Sequence, residues 1–240
     1  MKSRTWFSLL LVLVFFMSQT NAQMMMGRLL GGGGFGYFAV GSQSIDIKGL
    51  NTRLKAFGYP AFDENYITVG GGGHAVIGSL IIGGEGTGLL QSGDNVMGNF
   101  RTRFSGGYGV FTLGYIIYST DAITLYPQLG LGGGGMNLKI AERSSPTFDE
   151  VLNNPRRGAE LSSMSFLVDL GVGARYLFSF RERSRGGLTI GIRGGYVHSL
   201  NDKRWRLDEV AIPGGPSGAF SGFYLRLTIG GGGKARSWEE

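Results

Sequence analysis

The stretch that decides the fold is residues 163–180, SMSFLVDLGVGARYLFSF. Its even positions are Met164, Phe166, Val168, Leu170, Val172, Ala174, Tyr176, Phe178 and Phe180. Its odd positions include Ser163, Ser165, Asp169, Gly171, Gly173, Arg175 and Ser179. Successive side chains of a strand point to opposite sides, so strict alternation predicts a strand with two unlike faces. The apolar face runs unbroken well past the about 5–6 residues of an ordinary strand. The other face carries a carboxylate and a guanidinium among glycines. Lipid on the large apolar side and water on the small charged side account for both.

Working outward, the pattern predicts eight strands, at 31–40, 66–77, 80–90, 102–118, 122–140, 163–180, 187–200 and 222–230. The connections at 78–79, 119–121 and 181–186 are short, and those at 41–65, 91–101, 141–161 and 201–221 are longer. Long and short connections alternate strictly, which predicts a closed antiparallel up-and-down transmembrane β-barrel with short turns at one rim. In the first long loop Ile47, Leu50, Leu54 and Phe57 recur at helical spacing, with Lys48, Arg53 and Lys55 off the stripe. This predicts a short amphipathic helix that either caps the barrel mouth or lies on the membrane surface. A helical turn is expected at 148–152. In the fifth strand the apolar parity shifts from Leu129 and Leu131 to Met136, Leu138 and Ile140 across the glycines at 132–135, which predicts a bulge there.

The mean hydropathy is only +0.05. The one long apolar run lies at 6–17, behind Lys2 and Arg4 and ahead of Ala22. It reads as a secretory signal over 1–22, leaving 23–240 as a single barrel domain. There is no Cys, so no disulfide framework is available. The net charge of +6 becomes +4 once the two charges of Lys2 and Arg4 are removed, too mild to argue for nucleic acid. The glycine runs lack the Lys-Ser/Thr of a phosphate loop, and no zinc spacing appears; no cofactor or metal is expected.

On these strands and connections the chain resembles the small eight-stranded outer-membrane barrels of bacteria, the OmpA-type and OmpX-type group. The resemblance implies a Gram-negative-type outer membrane, periplasmic termini, contact with outer-membrane lipids and with the insertion machinery, and a monomeric state with an unidentified extracellular partner. Such barrels often end on a C-terminal aromatic read by that machinery. Here Leu225 and Leu227 are followed by glycines and a polar tail in which Trp238 is not terminal. The soluble alternative, a lipocalin-like barrel, needs a strongly charged outer face, whereas the non-apolar face here is mainly Gly, Ser and Thr.

Aromatics at strand ends, Tyr66, Tyr118, Phe178, Phe180, Tyr196 and Phe223, match interfacial girdles. His198 and Ser199 are adjacent on a strand, so they face opposite ways and form no direct dyad; no catalytic residue is assigned. His74 is expected in the packed lumen and His198 at the interfacial rim. Lipid-facing Arg near the midplane costs about 2–4 kcal/mol. Glu85, Asp169, Arg175, Arg193 and Arg226, all off the apolar faces, are therefore assigned to a lumen charge cluster. Within it, Arg175 is expected opposite Arg193 with Glu85 between them, Arg226 joining, and Asp169 lying nearer the far mouth. The expected role is structural or surface-interacting and non-catalytic; the alternative is a narrow channel or a lipid-handling barrel for small solutes.

Overall fold

The computed structural model describes residues 32–90, 95–142, 147–153, 158–179, 186–200, 205–207, 210–216 and 220–233. The signal segment 1–22, Phe180 and the tail 234–240 lie outside the described residues. Eight long strands close on themselves: β1 (Gly33–Ser44), β2 (Asn65–Ile77), β3 (Leu80–Leu89), β4 (Phe100–Tyr115), β5 (Ile123–Glu142), β6 (Gly158–Ser179), β7 (Gly186–Ser199) and β8 (Gly222–Gly233). Each pairs antiparallel with the next, and β8 returns to β1 through pairs such as Phe38↔Ile229. Closure satisfies every strand edge internally, as a wall facing hydrocarbon requires. The β2–β3 turn closes at Ile77↔Leu80, and Gly78 takes φ +58°, a left-handed conformation that suits glycine.

The decisive alternation holds in three dimensions. Met164, Phe166, Leu170, Val172, Tyr176 and Phe178 of β6 are exposed on the outside, while Ser163, Ser165, Leu167, Asp169 and Gly173 are buried inside. Phe111 and Leu113 of β4, Ile190 and Ile192 of β7, and Leu225, Leu227 and Ile229 of β8 continue the outer belt. No helix among the described residues is long and apolar enough to cross a membrane, which says nothing about strands.

The expected bulge is absent. From Phe100↔Glu142 to Gly114↔Gln128 on one side, and from Ile123↔Tyr176 to Ala141↔Gly158 on the other, β5 keeps one register through its four glycines. Even positions point inward throughout: Tyr126 and Gln128 below the glycines, Met136 and Leu138 above. What changes is the surroundings. Below the glycines the outside is Leu129 and Leu131; above, it is Asn137 and Lys139. The same crossover appears on β4, from exposed Phe111 to exposed Arg103, and on β6, from Met164 to Glu160. Toward the long loops the barrel therefore becomes apolar inside and polar outside, as in a barrel standing in water.

Several boundaries move for related reasons. β6 begins five residues before the expected 163 because its polar start still pairs with β5. β4 stops at Tyr115, and Tyr118–Ser119 pairs separately with Leu125 and Thr124. Two expected loops carry extra strand: Asn95–Met97 folds back on β4, and Trp205–Leu207 pairs both Val210–Ile212 and the start of β6. Tyr66 is corrected from girdle to interior, where it is buried against Phe104 at a 5.7 Å centroid distance. Tyr118, Phe178 and Phe223 are exposed.

Helix α1 (Lys48–Ala56) sits in the mouth at the long-loop end rather than on a membrane surface. Ile47, Leu50 and Leu54 are buried with Tyr66, Phe104, Leu138, Trp205 and Phe220. Asn51 clasps the following loop, its Nδ2 donating to Phe62 O and its Oδ1 accepting from Phe62 N, both at 2.9 Å. Arg53 Nη2 donates to Gly214 O at 2.7 Å, joining α1 to the last long loop. The turn expected at 148–152 is the exposed helix α2 (Phe148–Asn153). It begins with a capping box: Glu150 N donates to Thr147 Oγ1 at 3.3 Å and Thr147 N to Glu150 Oε2 at 2.8 Å.

Candidate functional site

The lumen is filled in three layers. At the short-turn end lies an apolar and aromatic layer of Phe35, Tyr37, Ala39, Val76, Ile81 and Tyr126. At the long-loop end lies the apolar core capped by α1. Between them is a polar layer built on Glu85.

Glu85 reaches that layer because odd positions of β3 face inward, with Ile81 and Thr87 on the same side. Its Oε2 accepts a hydrogen bond from the Tyr37 hydroxyl at 2.6 Å and pairs with Arg193 Nη2. Its Oε1 lies 3.4 Å from Arg226 Nη1. Arg193 Nη1 also donates to the Tyr37 hydroxyl at 2.8 Å and to Gln128 Oε1 at 3.4 Å. Arg226 Nη2 donates to Gln43 Oε1 at 3.1 Å and to the Tyr108 hydroxyl. Tyr224 stacks beneath the Arg226 guanidinium at 4.2 Å and donates to Asp169 Oδ1 at 2.9 Å. Glu85, Arg193 and Arg226 are only 8%, 2% and 2% exposed. Removing charges this deep from water is costly unless they are paired and hydrogen-bonded, as these are.

Arg193 and Arg226 are register partners on β7 and β8, so two like charges face each other across one strand pair. Their repulsion calls for an acid between them, and Glu85 fills that place. The expected partnership of Arg175 with Arg193 is corrected. Gly173 pairs with Arg193, while Arg175 pairs with Gly191, two positions nearer the short turns. Arg175 lies outside the Glu85 cluster, with its guanidinium 3.8 Å over the Phe35 ring. Counting inward from a six-residue turn misjudged the register by two positions. Asp169, fully buried, meets Tyr224 on the other side of the layer.

The sequence reading did not assign Tyr37, Gln43, Tyr108 and Gln128 to the cluster. Strand parity carries the signal for each, since all four lie on inward positions. Inward glycines make the room. A Cβ on Gly72 would come within 2.8 Å of Glu85 Cβ and 2.9 Å of the Tyr37 hydroxyl. His74 is buried, 4.9 Å from Phe35 and 5.6 Å from Tyr37 in a ring stack, with Nε2 2.7 Å from Thr112 Oγ1. His198 is exposed on the outside beside Tyr196, and Ser199 is buried inside. Among the described residues no group of three or more His, Asp or Glu is placed to hold a metal.

The fold, the outer apolar belt and the filled lumen define a class: small, closed, eight-stranded barrels of the outer-membrane type. No family model matches the sequence, and no curated protein matches it. Among solved structures the chain is similar to Ail, the attachment invasion locus protein of Yersinia pestis, at 14% identity and TM-score 0.44, covering 84% of this chain and 97% of that one. It is also similar to a major outer membrane protein from Thermus thermophilus, at 11% identity and TM-score 0.39, over 83% and 98% of the two chains. A third likeness is to the outer membrane protease OmpT from Escherichia coli, at 8% identity and TM-score 0.32, over 85% and 95%. These are likenesses of architecture.

Proposed function

We propose that this chain is an integral outer-membrane barrel with a structural or surface-interacting role, whose lumen passes no solute. Lipid surrounds the outer belt, and the short turns with both termini face the periplasm. The observation that carries the reading is the layered lumen: two arginines locked on one carboxylate, apolar packing on either side, and a helix in the mouth. A solute would have to displace buried, mutually bonded charges to pass. A non-catalytic role is supported by the two histidines, one enclosed among aromatic rings and the other facing outward from its neighbouring serine.

The test combines membrane fractionation, gel mobility with and without boiling, and single-channel recording in planar bilayers. The expected result is an outer-membrane protein whose mobility changes on boiling and which shows no unitary conductance. Stable ion steps would favour the narrow-channel reading, and recovery as a soluble periplasmic protein would overturn the membrane reading altogether.

A further inference from the structure

Arg175 is the one lumen arginine without a carboxylate partner among the described residues. Its position follows from parity, because odd residues of β6 face inward. It stands near the short-turn end, one pair inside the end of the β5–β6 ladder at Ile123↔Tyr176 and four pairs inside the end of the β6–β7 ladder at Ser179↔Gly187. The two lumen acids are committed elsewhere. Glu85 is held by Arg193, Arg226 and Tyr37. Asp169 lies six positions away on the same strand, about 20 Å at roughly 3.3 Å per residue. Among the described residues no carboxylate answers the charge on Arg175, although the side chain is half-buried.

Its surroundings are arranged for a ligand. The guanidinium carbon lies 3.8 Å over the Phe35 ring, which stacks in turn on His74 and Tyr37, and no described residue accepts a hydrogen bond from the guanidinium. On one side its register neighbour is Thr124. On the other it is Gly191, where a Cβ would meet Thr228 Oγ1 at 2.6 Å, so that hydroxyl occupies the space beside Arg175. A planar guanidinium fork on a residue with threonines on the strands to either side matches an oxyanion, carboxylate or phosphate, which the fork can hold by two parallel N–H···O bonds.

We infer that Arg175, with Thr124 and Thr228, forms an oxyanion-binding site at the short-turn mouth of the barrel. The inward orientation turns it away from the surrounding lipid, so its ligand arrives through the aqueous mouth. The charged layer above makes the site a dead end rather than a step in a path. The site stands on the register and does not depend on which way the barrel is inserted.

The test uses the full folded protein in a nonionic detergent, with 15N-labelled arginine, titrated at constant ionic strength with inorganic phosphate and separately with acetate. The expected result is a saturable shift of one arginine Nε–H signal, which the variant R175Q lacks. R103Q, on the outer wall, retains the saturable shift. R175K keeps the charge but loses the fork, and binds about tenfold or more weakly, as does T228V, which leaves the charge in place. Gel mobility confirms that each variant is folded. Should R175Q not fold, T228V carries the comparison. Phosphate against acetate tells which oxyanion is preferred. No saturable shift with either anion overturns the site, as does a shift that survives unchanged in R175Q, or in T228V where R175Q does not fold.

Discussion

At the scale of single residues, Glu85 and the lumen glycines govern stability. Removing one partner of a buried ion pair costs about 3–5 kcal/mol, because the remaining charge stays buried and unanswered. Glu85→Ala is therefore expected to lower the urea midpoint of unfolding by a corresponding amount. Glu85→Gln should recover little of the loss, since shape is not what Arg193 and Arg226 lack. A midpoint equal to wild type in either variant would show that the pair is not held by Glu85. The glycines divide by direction. Gly72 faces inward, and a Cβ there would lie 2.7 Å from Gly84 O. Gly86 faces outward, with its nearest atom, Tyr108 O, at 3.9 Å. Gly72→Ala should cost about 1–3 kcal/mol by overpacking, and Gly86→Ala should stay within about 0.5 kcal/mol of wild type. The urea midpoints of the two variants make the comparison. Much of this scale was legible beforehand. Parity alone sends Glu85, Asp169 and the three arginines inward, and like-charge repulsion calls for an acid between two of them. Which two was not legible, because register depends on where each turn begins, and that turn offered no local signal to fix it.

At the scale of elements, β5 and α1 carry the lesson. The apolar residues of β5 change parity, and a backbone bulge is the simplest reading of a sequence seen alone. The ladder instead stays regular while the medium outside changes from apolar side chains to Asn137 and Lys139. A hydrophobic pattern reports where apolar contact is found, not which side is in, so it cannot separate the two explanations. α1 was legible as a helix from Ile47, Leu50 and Leu54, but its seat was not, because a mouth and a membrane surface ask for the same stripe. Leu54→Asp buries a charge in the capping core and should release α1 while leaving the strands paired. The expected readout is rapid amide exchange and proteolytic cutting across 46–58 with the boiling-dependent gel shift unchanged. Loss of that shift would mean the cap is essential to the barrel itself.

For the whole molecule, the apolar belt and the polar collar behave differently toward charge. Leu131→Arg places a cation on the lipid-facing wall and should cost up to about 2–4 kcal/mol, while Asn137→Arg, on the same face of β5 but above the crossover, should be close to neutral. Refolding titrations into bilayers measure both. Equal costs would deny the crossover its meaning.

The length of β5 has a mechanical consequence. The strand has 20 residues, and the polarity change falls near its middle. At about 3.3 Å per residue and a tilt of about 40°, each half rises roughly 25 Å. The lower half matches the roughly 25 Å apolar band of such barrels, and the upper half adds about as much again. The rim is therefore carried on a stiff mast rather than on slack tethers. Force applied at the loops is passed down paired strands into the wall, and α1 braces the column from within, where its cross-section would otherwise be free to flatten.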